Sequence, residues 1–287
     1  MLKIGEFEIH IINDANSKVD AGGAFGLVPR TLYSRHLQPD ENNLVPMAHH
    51  CLFLKAGDKK IVVDAGQGEK LNRKQKGFWN MQDEGGLLRG LDRLGYQPTD
   101  IDLVIATHLH SDHAGGLTRY AEGSQGEVVA TFPNAEYVVQ QREYDDASNP
   151  NERTRGTYFP YNFQPLIDSG QMTLLQGDTE IVPGITGVAT PGHTPGHMSV
   201  KFESNGESAL FVCDMASYAV HFDKIAWMTA WDVEPLITLE SKRKWKKWAL
   251  ETNATLIFVH DPNRIAQKLT EDENGRVEMQ PIEVSYA

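Results

Sequence analysis

The sequence predicts an α/β protein built as a four-layer αββα sandwich, two mixed β-sheets packed face to face and flanked by helices. Three observations carry that expectation. Short runs of β-branched and aromatic residues recur in both halves of the chain, two stretches read as helices between them, and several apolar runs end directly on a histidine or an aspartate.

In chain order, residues 3–13 read as a strand, after which Gly22-Gly23-Ala24-Phe25-Gly26 opens an irregular segment running to about residue 46. Strands at 51–55 and 60–64 are joined by Ala-Gly-Asp-Lys, which has the chemistry of a hairpin turn. Residues 87–94 predict a short helix closed by Gly95, and Ile-Asp-Leu-Val-Ile-Ala at 101–106 predicts a buried strand. A strand at 136–139 precedes a polar stretch dotted with aromatics, 140–163. The second half repeats the pattern, with strands near 172–175, 185–189, 198–202 and 209–213, a helix at about 239–252 and a strand at 255–259. Within that helix Trp245, Trp248 and Ala249 have i, i+3, i+4 spacing, so Lys242, Arg243, Lys244, Lys246 and Lys247 read as its solvated face. No repeat or linker divides the chain, and a single domain over 1–287 is expected. The segments at about 20–46 and 140–165 are too long for connectors and read as lids over a site.

Apolar residues make up 40% and charged residues 23%, which excludes a disordered or fibrous chain. The net charge of −12 argues against nucleic acid as a partner, because phosphate neutralisation needs clustered Lys and Arg. No apolar run approaches the ~18 residues of a membrane span, and the N-terminus lacks the apolar core of a signal peptide, so no membrane association and a cytoplasmic location are expected. Cys51 and Cys213 are too few for a disulfide framework or a cysteine-based zinc site and read as small core residues.

The chemistry concentrates at 107–116, Thr-His-Leu-His-Ser-Asp-His-Ala-Gly-Gly, directly after the strand at 101–106. Four metal-competent side chains, His108, His110, Asp112 and His113, fall within six positions, a density that packing does not explain. In an extended segment His-x-His points both rings to one side, and Gly115-Gly116 lets the backbone turn closely beneath them. His193 follows the run 185–189, Asp214 follows 210–213, His260 follows 256–259 and Asp64 follows 61–63. Where strands of two stacked sheets end on one edge these residues converge, and His and Asp suit zinc.

With these residues in this order the chain resembles the metallo-β-lactamase superfamily, whose mark is His-x-His-x-Asp-His after a strand. The likeness spans nearly the whole chain and includes Val-Asp-Ala-Gly at 63–66, Thr-Pro-Gly-His193, Asp214 and His260. It implies one metal held by His108, His110 and His193, a second held by Asp112, His113 and His260, and Asp214 bridging both. The implied cofactors are two divalent ions, zinc foremost, with manganese, cobalt and iron(II) open. Such ions, about 3.5–4 Å apart, would share a bridging hydroxide at neutral pH. Asp112 and Asp214 would offset positive charge and orient the nucleophile. Asp64 would fix a turn or support a ligand, and His197 would support the His193 loop.

The segment 20–30, the 140–165 insertion and Val-His-Asp-Pro at 259–262 are similar to the branch of acyl-homoserine lactonases and methyl-parathion-type hydrolases. The implied activity is hydrolysis of a lactone, ester or phosphotriester of a small molecule, with a homodimer left open. Lactonases of the superfamily place a tyrosine three residues after the bridging aspartate; here that residue is Ser217 and the tyrosine is Tyr218, so its role stays open between oxyanion contact and packing. Of His49 and His50, one should point inward as a hydrogen-bonded core residue, while His36 and His221 are open between pocket and surface. Phe25, Tyr33, Trp79, Tyr158, Phe159 and Tyr161 could shape an apolar pocket or anchor the loops, with Phe25 assigned to the pocket because glycines surround it. Two alternatives compete. One is a glyoxalase-II-like thioester hydrolase or a mono-iron persulfide dioxygenase, the latter needing only two histidines and a carboxylate. The other is a non-catalytic small-molecule-binding protein on the same fold, which would have lost ligands.

Overall fold

The structure is a computed structural model and describes residues 1–124 and 126–287. The first sheet contains β1 (Leu2–Ile4), β2 (Phe7–Asp20), β3 (Leu44–Ala56), β4 (Lys59–Val63) and β5 (Leu103–Ile105). A small ribbon, β6 (Thr118–Tyr120) and β7 (Val128–Ala130), interrupts the chain before β8 (Glu136–Gln140) and β9 (Met172–Leu175) complete that sheet in the order β1-β2-β3-β4-β5-β8-β9. Its first four strands pair antiparallel, and from β4 onward the pairing is parallel. The second sheet runs β10 (Thr179–Val182), β11 (Ile185–Ala189), β12 (Met198–Ser204), β13 (Glu207–Phe211), β14 (Thr255–Ile257), β15 (Ala266–Glu271) and β16 (Val277–Ile282), in chain order. It is antiparallel except for β13 and β14.

Alternation along each strand makes the four layers. Leu52 and Leu54 of β3 enter the core between the sheets, while Cys51 and Phe53 enter the core under the outer helices. Likewise Ile61 and Val63 face inward and Val62 outward; Leu103 and Ile105 face inward and Val104 outward. In the second sheet Ala209, Phe211 and Ile257 meet the first sheet, whereas Leu210, Leu256 and Phe258 meet Trp245 and Ala249 of the helix Pro235–Thr252. The helix Gly86–Arg93 supplies Leu87 and Leu91 to the outer face of the first sheet. A one-residue slip of any of these strands would exchange the two cores, and each fully buried side chain contributes roughly 1.5–3 kcal/mol against it.

Several expectations need correction. β2 does not end at residue 13 but runs to Asp20 through the polar stretch Asn13–Lys18, with an irregularity between Asn13 and Asn16. β3 starts at Leu44, so the first lid-like segment spans only 21–43 and itself holds the helices Ala21–Phe25 and Arg30–Tyr33. The second opens with the helix Gln141–Ser148. An unanticipated helix, Arg73–Phe78, is started by a reciprocal cap between Asn72 and Gln75. The long helix begins earlier, at Pro235, and not all of its basic residues are solvated: Lys242 is fully buried, and its Nζ donates to the carbonyls of His221 and Trp227. Among the described residues no helix is long and apolar enough to cross a membrane.

Candidate metal centre

β4 and β5 of the first sheet and β11, β13 and β14 of the second send their following residues to one edge, where Asp64, the 107–114 segment, His193, Asp214 and His260 meet. After β5 the chain stays extended through His110, then closes a helical turn at Ser111–Ala114, with His113 and Ala114 N–H groups donating to the His110 carbonyl. That turn puts Asp112 and His113 on the same side as the two preceding histidines. A side-chain carbon at Gly115 would collide with the Gln67 carbonyl and one at Gly116 with that of Ala65, so the close backbone approach demands glycine at both.

Seven donors converge. His110 Nδ1 lies 3.0 Å from His193 Nε2. Asp214 Oδ2 is 3.6 Å from His108 Nε2, 3.3 Å from His193 Nε2 and 3.2 Å from His113 Nε2, while its Oδ1 is 3.3 Å from His260 Nε2. Asp112 Oδ2 is 3.6 Å from His113 Nε2 and 3.5 Å from His260 Nε2. His108, His110 and His193 form one group able to hold an ion, and His113, Asp214 and His260 another.

The hydrogen bonds on the far side of the rings fix which nitrogen faces the centre. His113 Nδ1 donates to Asp64 Oδ2 at 2.9 Å, His193 Nδ1 to Asp232 Oδ1 at 3.0 Å and His260 Nδ1 to the Ala48 carbonyl at 2.7 Å. Thr107 Oγ1 gives its proton to Asp64, so it accepts from His108 Nδ1 at 3.1 Å. Each Nε2 therefore carries a lone pair. The Nε2 atoms of His108, His113 and His260 and Asp214 Oδ1 are buried with no hydrogen-bond partner. Four orphaned acceptors around one point suit a cation, and a set of imidazoles with carboxylates fits divalent metal. Burial pulls His108 and His110 well below the usual imidazole range, which keeps them neutral.

A cavity of about 650 Å³ opens onto these residues. Its floor is His110, Asp112, His193, Asp214 and His260, and its walls are largely apolar, with Leu44, Met47, Phe78, Trp79, Phe159 and Trp231. The model of the metallo-beta-lactamase superfamily matches residues 44–251. The chain belongs to that superfamily. An N-acyl homoserine lactonase from Bacillus sp is 29% identical over 237 residues, covering 78% of this chain and 85% of the relative. The solved structure of a probable metal-dependent hydrolase from Staphylococcus aureus superposes with a TM-score of 0.89 at 31% identity, covering 99% of this chain and all of the other. AidC, a dizinc quorum-quenching lactonase solved with a product, shares the fold at a TM-score of 0.80 and 21% identity, covering 99% and 97% of the two chains. The chain is thus a metal-dependent hydrolase of the metallo-β-lactamase fold.

Within this superfamily fold the structure places the other candidates unevenly. Asp64, itself in a left-handed backbone conformation (φ 55°), accepts from the Thr107 N–H and His113 Nδ1, and His197 accepts the Asp214 N–H at 3.1 Å. His50 is a core residue bonded to the Phe258 carbonyl and the Tyr286 hydroxyl. His49, equally buried, instead stands against Asp112 at 4.0 Å, so the pair does not divide into one inward and one outward ring. Tyr218 is buried outside the cavity, its hydroxyl donating to the Pro46 carbonyl at 3.0 Å, which is the packing role. Phe25, assigned above to the pocket, is wholly buried between Tyr33 and Tyr218 and holds its loop down. His221 is buried beside Phe25, whereas His36 is exposed against Trp227. Trp79 and Phe159 do line the cavity.

Two supporting carboxylates escaped the sequence reading. Asp232 orients His193 and accepts from Thr229 Oγ1 at 2.7 Å. Glu143, fully buried, accepts from the Leu109 N–H, the Tyr158 hydroxyl and Thr194 Oγ1, tying the His-x-His segment to the His193 loop. Burial raises its carboxyl, with those donors acting in opposition. Glu143 opens a helix of polar residues, and only its place in an insertion beside the motif could have marked it.

Proposed function

We propose that this chain, as a single domain over 1–287, is a two-metal lactonase whose substrate carries an apolar acyl chain. His108, His110 and His193 would hold one ion, Asp112, His113 and His260 the other, with Asp214 between them. The reading is carried by one observation, the cluster of buried, unpartnered donors whose far sides are all hydrogen-bonded. Zinc is the proposed metal, because a set of histidines with carboxylates is a borderline donor set. Bound there, divalent ions supply Lewis acidity and bring the pKa of a water to about 7.

The chain's own groups then divide the work. Asp112 and Asp214 offset the positive charge and accept hydrogen bonds from the attacking water. Asp64 and Asp232 hold the rings of His113 and His193 in place. The apolar walls exclude bulk water and seat an acyl chain, leaving the ester end of the ring over the floor. The N-acyl homoserine lactonase relatives support a lactone over other esters. A mono-iron oxygenase would not need Asp112, His113 and His260 to converge as well, and a binding protein would not keep every donor. A cytoplasmic site of action belongs to the proposal and rests on the buried, unpaired thiols of Cys51 and Cys213.

The test is metal analysis followed by turnover of N-acyl homoserine lactones of increasing acyl length, an aryl ester, a thioester and a phosphotriester, on zinc-, manganese- and cobalt-loaded protein. Two ions per chain and preferred lactone hydrolysis are expected. Turnover of the thioester or phosphotriester with lactones untouched would sink the substrate assignment.

A further inference from the structure

The seven-donor set leaves out two buried histidines at this edge: His197, whose Nε2 already accepts the Asp214 N–H, and His49. The His49 side chain is wholly shielded from solvent, and its Nδ1 has no hydrogen-bond partner. Backbone register puts it there. The Ala48 N–H donates to the His260 carbonyl at 3.2 Å and His260 Nδ1 returns to the Ala48 carbonyl, so the residue after Ala48 lies beside His260. The His49 N–H is held by Asn13 Oδ1 at 2.9 Å, and the two rings stand 5.3 Å apart, edge to face.

The two ring nitrogens of a neutral imidazole share one proton. Ser17 Oγ lies 2.9 Å from His49 Nε2, and the tautomer that suits the buried, unpartnered Nδ1 has Nε2 as the donor in that bond. His49 then carries its proton on Nε2, and Nδ1 presents a lone pair. That lone pair faces Asp112 Oδ2 at 4.0 Å. The distance is too long for a hydrogen bond even in the other tautomer. Two lone-pair atoms buried face to face repel, whereas two ligands of one ion, each about 2.0–2.2 Å from the metal, stand roughly 3–4 Å apart, and this pair lies at the wide end of that range. His49, Asp112 and His260 bring one donor atom each to within 4.8 Å of one another.

We infer that His49 Nδ1 is an eighth donor of the centre, a ligand to the ion held by Asp112, His113 and His260. The assignment rests on the two-metal reading above and extends it: the ion on that side has one more protein ligand than its neighbour. Ser17, accepting from Nε2, is the positioning residue.

The experiment compares wild type, His49→Phe and His49→Asn, the last keeping an acceptor close to the Nδ1 position. Metal content is measured after dialysis against graded chelator, and the visible absorption of cobalt(II)-loaded protein is recorded. In wild type both ions should stay bound over a common range of chelator. In His49→Phe one ion should leave at a chelator level lower by about tenfold or more, with a changed cobalt spectrum, and His49→Asn should fall between. Should His49→Phe fail to fold, His49→Asn decides by the same two readouts. A chelator profile and cobalt spectrum unchanged from wild type would overturn the assignment and leave the two-metal reading standing. Wild type that binds no divalent ion would overturn both.

Discussion

The floor and the roof of the cavity are built on opposite principles. The floor consists of polar groups that are themselves buried: His193 and His260 are almost wholly shielded, and each is clamped from behind, by a carboxylate and a carbonyl respectively. The roof is the reverse, apolar groups brought towards solvent. Phe78 is 83% exposed, and Trp79 and Phe159 stand on short helical or irregular segments. Burying a polar cluster is tolerable only if every group has a partner, which leaves the floor one geometry and one purpose. Exposed apolar loops carry no such obligation. The difference assigns chemistry to the floor and choice of substrate to the roof, and the two should fail in different ways.

The largest effect is expected at Asp214, whose two oxygens face both donor groups. Asp214→Ala should lower turnover by about a thousandfold or more and reduce the metal content, with circular dichroism little changed. Retained turnover would break the distinction at its base. Glu143→Leu comes next. It touches no ion but leaves the Leu109 N–H, the Tyr158 hydroxyl and the Thr194 hydroxyl buried without their acceptor. We expect a loss of about 3 kcal/mol in urea denaturation and a fall of about 10- to 100-fold in metal affinity, with Glu143→Gln milder on both. A stability loss with unchanged metal affinity would make Glu143 a packing residue only.

How far each region was legible follows from how each is placed. His108, His110, Asp112 and His113 follow one strand within six positions, and His193, Asp214 and His260 stand just past the ends of apolar runs, so position marks them as candidates and the resemblance to the superfamily joins them into one site. The layers were legible because alternation such as Leu52, Phe53, Leu54 is local. Glu143, Asp232 and His49 reach the site through tertiary register, and nothing in their immediate sequence separates them from surface polar or core residues. The polar half of β2 was hidden because its side chains serve as partners: Asn13 holds the His49 N–H, and Asp14 accepts from the N–H groups of Gly68 and Leu87. Phe25 misled because flanking glycines suggest an open loop, whereas its ring fills the satellite core under that loop.

A smaller effect tests the join between floor and roof. Lys242 supports the carbonyls of His221 and Trp227 from beneath, and burial lowers its ammonium from 10.5 to about 8, with Asp232 opposing. Between those values the unfolded chain binds more protons than the folded one, so stability should rise with pH over that window. Lys70 acts in the same direction from about 7, so wild type must be compared with Lys242→Met and not read alone. The variant should show a shallower rise in unfolding free energy between pH 8 and 10.5, followed by urea titration. Parallel curves would mean that Lys242 is already charged and solvated in the folded chain.

The smallest effect is expected at Phe78, and it separates the two regions most cleanly. At 83% exposure its ring contributes little to folding, and Phe78→Ala should leave stability within about 0.5 kcal/mol. Yet the ring lines the cavity mouth beside Trp79, where a long acyl chain would pass and a short one would not reach. Losing that contact costs about 1 kcal/mol of apolar burial, or roughly fivefold in KM for long-chain lactones. Because the contact is the same in the bound and reacting states, kcat should not move. Short-chain lactones and metal content should match wild type. A fall in kcat, or an equal loss for every chain length, would mean that the roof reaches into the chemistry and that the division drawn from burial is wrong.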